Sequence, residues 1–153
     1  MTHLKKVLII RFSSIGDIVL TSPVIRCIKN QVPDVVVHFL TKSSFAGIVR
    51  HNPYVDKVYE LGDDFDGLIK ELKKENYDFV VDLHHNFRSY KVKSKLKKPS
   101  ESFDKLNIEK WLLVNFKYDR MPSAHIVERY METADSLNVH YDGAGLDFFI
   151  PDA

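Results

Sequence analysis

Residues 6–23 read K-V-L-I-I-R-F-S-S-I-G-D-I-V-L-T-S-P, a short apolar run followed at once by a polar turn and then by a second apolar period. Val7, Leu8, Ile9 and Ile10 form a continuous apolar stretch too short for a helix, of the kind buried on both faces of a parallel sheet. Arg11 and Phe12 lead out of that strand. Ser13, Ser14 and Gly16 then make a turn in which glycine would let the backbone bend sharply or approach a ligand. Asp17 falls just past the carboxyl end of the first strand, the edge at which open α/β sheets bind their ligands.

Two readings of Asp17 compete. Ser14-Ile15-Gly16-Asp17 fits the S-x-x-D capping pattern, in which the serine satisfies a free helix N–H and the acid complements the positive helix end. Alternatively, an ionised carboxylate on a Gly-containing turn at a sheet edge is placed to take a proton from a bound hydroxyl. Spacing does not choose between them.

Outward from this turn, apolar runs alternate with helical periods in a βαβ rhythm, which predicts an α/β fold with a doubly wound, Rossmann-like parallel sheet. Residues 18–31 read as a helix that Pro23 kinks, or restarts with Ser22 as cap. Residues 35–40, 55–61 and 79–83 read as further strands. Residues 43–50 make a short helix, and residues 65–76 an amphipathic one with Leu68, Ile69 and Leu72 on one face. The chain then reads as less regular until residues 124–137, where Ile126, Val127, Tyr130, Met131, Ala134 and Leu137 form a helical stripe. No repeat or low-complexity linker interrupts the sequence.

The 153 residues are 44% hydrophobic and 28% charged with net charge +1, a balance that suits one globular domain and carries no general drive toward nucleic acid. Cys27 is the only cysteine, which rules out an internal disulfide, and its apolar neighbours place it on a helix face against the sheet. Arg11 cuts the first apolar run short, so the opening residues hold neither a signal-peptide core nor a membrane span. A reducing cytoplasm is the expected setting.

Asp63-Asp64-Phe65-Asp66 contains a D-x-D, which could hold a divalent cation, but it directly precedes a helix whose free N–H groups such acids cap. The seven histidines show no H-x-x-x-H or H-x-H spacing, and no metal is expected. His84 and His85, if extended, would point to opposite sides. Asp82, His84, Asn86 and Arg88 lie at or beyond the fourth strand, on the same edge as Ser13 to Asp17 if the sheet is parallel. Asp82 suits bonds to backbone N–H groups of a neighbouring turn, whereas the other three suit sugar hydroxyls, carboxylates or phosphates. Lys91, Lys93, Lys95, Lys97 and Lys98 put five lysines into eight positions, either as a solvated loop or as an attraction toward an anionic membrane. A nucleic-acid site is the weaker option, since the run lacks interleaved aromatics.

The stretch R-F-S-S-I-G-D-I-V-L-T-S-P-V-I-R-C-I-K closely resembles the opening of glycosyltransferase family 9, the lipopolysaccharide heptosyltransferases. The likeness continues through Pro33-Asp34 before V-V-V-H-F-L-T, N-P-Y-V-D-K-V at 52–58 and Y-D-F-V-V-D-L-H-H-N-F-R-S at 77–89. K-W-L-L-V-N-F-K, A-H-I-V-E-R-Y and G-L-D-F-F-I-P resemble versions found in one bacterial branch. The resemblance implies a two-domain GT-B architecture of which residues 1–153 would be the amino-terminal, acceptor-binding half, with the donor-binding half absent. It makes Asp17 the general base of an inverting transfer of heptose from ADP-heptose to the lipid A-linked core oligosaccharide of lipopolysaccharide. Ser13, Ser14 and Gly16 would shape the reacting turn, and His84, Asn86, Arg88, Arg120 and His125 would contact the acceptor. ADP-heptose would be a substrate held by the other domain, no cofactor is implied, and this half alone is expected to be inactive. The rival is a non-catalytic, flavodoxin-like binding or signalling module, which would want tandem acids where the first strand ends in Arg11-Phe12. A dinucleotide-dependent oxidoreductase is weaker still, because the first turn lacks G-x-G-x-x-G.

Overall fold

Alternation along the first strand divides the core in two. The computed structural model describes residues 4–102 and 122–147, and within them Val7 and Ile9 of β1 (Lys6–Ile10) join one buried cluster while Leu8 and Ile10 join another. All four are fully buried, as a central parallel strand covered on both faces requires.

The chain continues through α1 (Ile15–Leu20), α2 (Ser22–Gln31), β2 (Val36–Lys42), a 3-10 turn, α3 (Ala46–Arg50), β3 (Lys57–Leu61) and α4 (Phe65–Glu75). It then forms β4 (Phe79–Asp82), α5 (Phe87–Leu96), β5 (Ser100–Ser102) and, further on, α6 (Pro122–Glu132). The five strands are parallel in the order β3-β2-β1-β4-β5, the doubly wound arrangement expected from the sequence. Val24, Ile25 and Ile28 of α2 and Val127, Tyr130 and Met131 of α6 cover one face. Leu68, Ile69 and Leu72 of α4 and Val92 and Leu96 of α5 cover the other. Strand order reverses between β1 and β4, so the crevice between their carboxyl ends is the topological switch point at which such sheets bind ligands.

Local chemistry corrects several expectations. Pro23 does restart the helix, but Thr21 rather than Ser22 is the N-cap, with its hydroxyl turned back to the Ile18 carbonyl at 2.6 Å. The third strand begins at Lys57 because residues 52–55 form a turn closed by Asn52, whose side-chain oxygen accepts from Tyr54 N–H at 2.9 Å. Residues 84–102 are not irregular: they contain α5 and β5, so Lys91, Lys93 and Lys95 stand on a helix rather than in a loop, with Lys97 and Lys98 just past its end. The weak amphipathic pattern of α5 hid it, since Ser89 and Lys93 share the inward side with Val92 and Leu96. Asp64 caps α4 by accepting from Gly67 N–H at 3.0 Å, which is the capping role expected of the D-x-D.

At the opposite, amino edge of the sheet, Glu75 at the end of α4 gathers Tyr59 Oη at 2.5 Å and Lys6 Nζ at 3.2 Å, with His38 Nδ1 at 3.4 Å. The Tyr59 hydrogen bond leads in holding the Glu75 carboxyl down to about 2, while burial lowers His38, which shares Nδ1 with the Tyr77 hydroxyl at 2.8 Å. Both folded-state values lie below their unfolded values, so below pH 6.5, and again below pH 4.5, the unfolded chain takes up protons that the folded chain resists. Urea midpoints measured from pH 7 downward are expected to fall in two stages, with Glu75→Gln reducing the lower one and leaving the part that Asp142 and the other lowered carboxylates contribute.

Candidate functional site at the carboxyl edge of β1 and β4

The turn after β1 is built around Arg11. Its side chain is 12% exposed and donates through Nε to the Ser13 carbonyl at 2.7 Å and through Nη1 to the Leu83 carbonyl at 3.0 Å. Nη2 lies 3.2 Å from Asp17 Oδ2. One planar fork therefore fixes the β1–α1 turn, the β4–α5 turn and the carboxylate between them. The Ser13–Ser14 peptide bond is cis.

Asp17 occupies the third position of α1 and is 39% exposed. Its Oδ2 accepts from Ser14 N–H at 3.2 Å and Ser14 Oγ at 2.9 Å, in addition to meeting Arg11. Capping and availability thus coexist in one residue, because all of these contacts converge on Oδ2 and leave Oδ1 without a hydrogen-bond partner among the described residues. Burial pushes the Asp17 carboxyl up, but the Arg11 charge and the Ser14 hydrogen bonds outweigh it and hold the group below the ordinary aspartate range. It is ionised throughout the neutral range. Tyr130 of α6, 2% exposed, stands within electrostatic reach of both Arg11 and Asp17 and backs the site with apolar bulk.

Gly16 is not needed for the turn itself. It lies inside α1 without a positive φ, and an added Cβ would meet nothing within 4 Å. What the glycine provides is open space beside Asp17.

The second turn is equally specific. Asp82 is fully buried, and its Oδ1 accepts from His84 N–H at 3.0 Å and His85 N–H at 2.8 Å, the bonding to turn backbone expected from the sequence. Its Oδ2 lies 3.0 Å from Lys93 Nζ, which also donates to Ser102 Oγ at 2.6 Å. The histidine pair is not extended, since His85 has φ 53°. His84 turns inward and accepts the Phe12 N–H with Nδ1 at 3.3 Å, its ring 5.0 Å from that of Phe12, which assigns the ring proton to Nε2. Asn86 caps α5, accepting from Ser89 N–H at 2.9 Å.

Arg88 is exposed and lines an open groove of about 740 Å³ with Lys42, Lys91, Leu61 and Phe65. Lys42 at the end of β2 is a member that sequence reading missed. Arg120 lies outside the described residues, and His125 falls on α6 with its side chain outside them. Ser13, Ser14, Gly16, Asp17 and His84 are brought to one switch point, with Asn86 and Arg88 opening the helix beside it. Among the described residues no group of His, Cys, Asp and Glu side chains is clustered to hold a metal ion, and no helix is long and apolar enough to cross a membrane.

Residues 66–148 match the family model described as glycosyltransferase family 9 (heptosyltransferase). Lipopolysaccharide heptosyltransferase 1 of Campylobacter coli is 29% identical over 153 residues, covering 94% of this chain and 45% of the relative. The structure titled E. coli heptosyltransferase WaaC with ADP superposes with a TM-score of 0.69 at 22% identity, covering 93% of this chain and 50% of that one. A glycosyl transferase of family 9 from Veillonella parvula DSM 2008 gives a TM-score of 0.71 at 17% identity, covering 97% and 46%. The chain spans about half the length of these relatives.

Removing the Arg11 fork leaves burial opposed by the Ser14 hydrogen bonds alone, so Arg11→Met is expected to raise the Asp17 pKa from its value in the parent chain, read by a carbon-detected carboxyl titration. Lys93→Met leaves Asp82 buried and uncompensated, and urea unfolding should show a loss of about 3–5 kcal/mol.

Proposed function

This chain belongs to glycosyltransferase family 9, the heptosyltransferases, and from that premise we propose that it is the acceptor-side, amino-terminal half of an inverting sugar transferase with Asp17 as general base. The observation that carries this reading is Asp17 itself: an ionised carboxylate at the switch point, clamped through Oδ2, with Oδ1 unbonded among the described residues and open space at Gly16.

In the proposed reaction the acceptor hydroxyl attacks the anomeric carbon of the donor sugar and gives its proton to Asp17 Oδ1. The new carbon–oxygen bond forms as the bond to the diphosphate breaks, so ADP leaves and the anomeric configuration inverts. Positive charge builds on the sugar in such a displacement, and a carboxylate already ionised stabilises it. Arg11 and the Ser14 hydrogen bonds hold Asp17 ionised and aimed, while the Arg88, Lys42 and Lys91 groove supplies donors and positive charge for an acceptor bearing acidic sugars and phosphates.

Relatives named as lipopolysaccharide heptosyltransferases, and a related structure titled with ADP, support ADP-heptose as donor and a lipid A-linked core oligosaccharide as acceptor. On this reading the donor is held by a second domain corresponding to the rest of the relatives' length, and the 153 residues bind acceptor without transferring. The working place is the cytoplasmic face of the inner membrane.

Paired titrations of the chain with a phosphorylated lipid A-core acceptor and with ADP-heptose are expected to show acceptor binding alone, with shifts around Ser13, Ser14 and Asp17. Donor binding alone, or no binding by folded protein, would sink the proposal. Gly16→Ala gives a sharper test: it should stabilise the chain by about 0.8–1.0 kcal/mol, as alanine does in a helix, yet weaken acceptor binding by filling the approach. In a two-domain enzyme carrying this half, Asp17→Asn should lower kcat about 10²–10⁴-fold. Near-unchanged turnover would remove Asp17 from the base role.

A further inference from the structure

The two most exposed large apolar side chains among the described residues stand together. Phe87 is 71% exposed and Tyr90 63%, one turn apart on the outer side of α5. Arg88, Lys91 and Lys95 are exposed on the same helix, and Lys91 Nζ sits 4.9 Å from the centre of the Phe87 ring. Residues 83–100 contain no acid at all. Lys93 and Lys98 do not belong to this surface, because Lys93 is turned in to Asp82 and Lys98 Nζ donates to Asn76 Oδ1 at 2.8 Å. The helix thus presents two aromatic rings ringed by cations.

We propose that this outer face of α5, with Phe87 and Tyr90 as wedges and Arg88, Lys91 and Lys95 as charge contacts, docks the domain on an anionic phospholipid surface. Tyrosine, an apolar ring with a polar hydroxyl, settles at the headgroup level, phenylalanine buries its ring at the acyl boundary, and long cationic side chains lie along them with the charge directed to the phosphates. Charge complementarity selects an anionic occupant. The two rings stand 71% and 63% exposed on the outer side of the helix, where they can enter a lipid surface as wedges, and this selects a phospholipid occupant over nucleic acid. The docked edge is the one that carries Asp17, so a lipid-borne acceptor would present its sugars to the base from the membrane side. Only this last step rests on the transferase reading.

The test is sedimentation of the whole chain with vesicles of phosphatidylcholine alone and of phosphatidylcholine mixed with phosphatidylglycerol, neither containing glycolipid, beside a single-stranded oligonucleotide. Binding is expected to the anionic vesicles only and to weaken with salt. Phe87→Ser and Tyr90→Ser should each lower it several-fold, and Lys91→Gln and Lys95→Gln about five-fold each. Lys70→Gln, an exposed cation on α4, should leave it unchanged, and all variants should keep the parent melting temperature. Absence of binding to anionic vesicles, indifference to Phe87→Ser and Tyr90→Ser, or tighter binding to the oligonucleotide would each overturn the proposal. Because the vesicles hold no acceptor, failure of the acceptor titration leaves this result intact, and the two readings fall separately.

Discussion

A single guanidinium holds the candidate site together. Arg11 joins the Ser13 carbonyl, the Leu83 carbonyl and the Asp17 carboxylate, spanning two turns that are 72 residues apart in sequence. Carbonyls at the ends of parallel strands need donors once the ladder stops, and a planar fork of fixed geometry satisfies two of them while orienting an acid. That one side chain aims Asp17 and, together with the Phe12–His84 contact, ties the turn after β1 to the turn after β4 beyond the last ladder pair.

The second turn shows the same economy with a different charge pair. Asp82 uses one oxygen to fix the backbone at His84 and His85, while the other meets Lys93 and, through it, Ser102 of β5. The fold thereby commits one lysine of a seemingly uniform basic run to the interior and leaves others outside. Burial of Asp82 is tolerable because charge and hydrogen bonds both compensate it. Structural and functional demands are in this way separated along one helix.

The far end of the described chain is fastened by a similar device. Arg26 of α2 meets Asp142 through two hydrogen bonds of 2.8 and 2.6 Å and Asp147 at 2.8 Å, and its hydrogen bonds pull the Asp142 carboxyl down to about 2. Gln31 exchanges two hydrogen bonds with the backbone of His140. The segment after α6 is thus laid across α2, and α6 is kept on the sheet face behind Asp17.

The sequence by itself determined the parallel α/β class, the strand and turn of residues 6–17, the break at Pro23, the capping acids before α4 and the candidacy of Asp17. Each is a local matter of apolar period, turn chemistry or cap spacing, and local signals are written in adjacent residues. Only the tertiary structure decided that Arg11 clamps Asp17, that His84 turns in to Phe12 and that Lys42 joins Arg88 and Lys91. It also decided which lysines of α5 face outward. Those outcomes depend on pairing between strands and on where a helix lands against a sheet, so residues distant in sequence set them. The helix α5 itself was hidden because its inward side carries Ser89 and Lys93, polar residues that belong inside only when Asn86 and Asp82 are there to receive them.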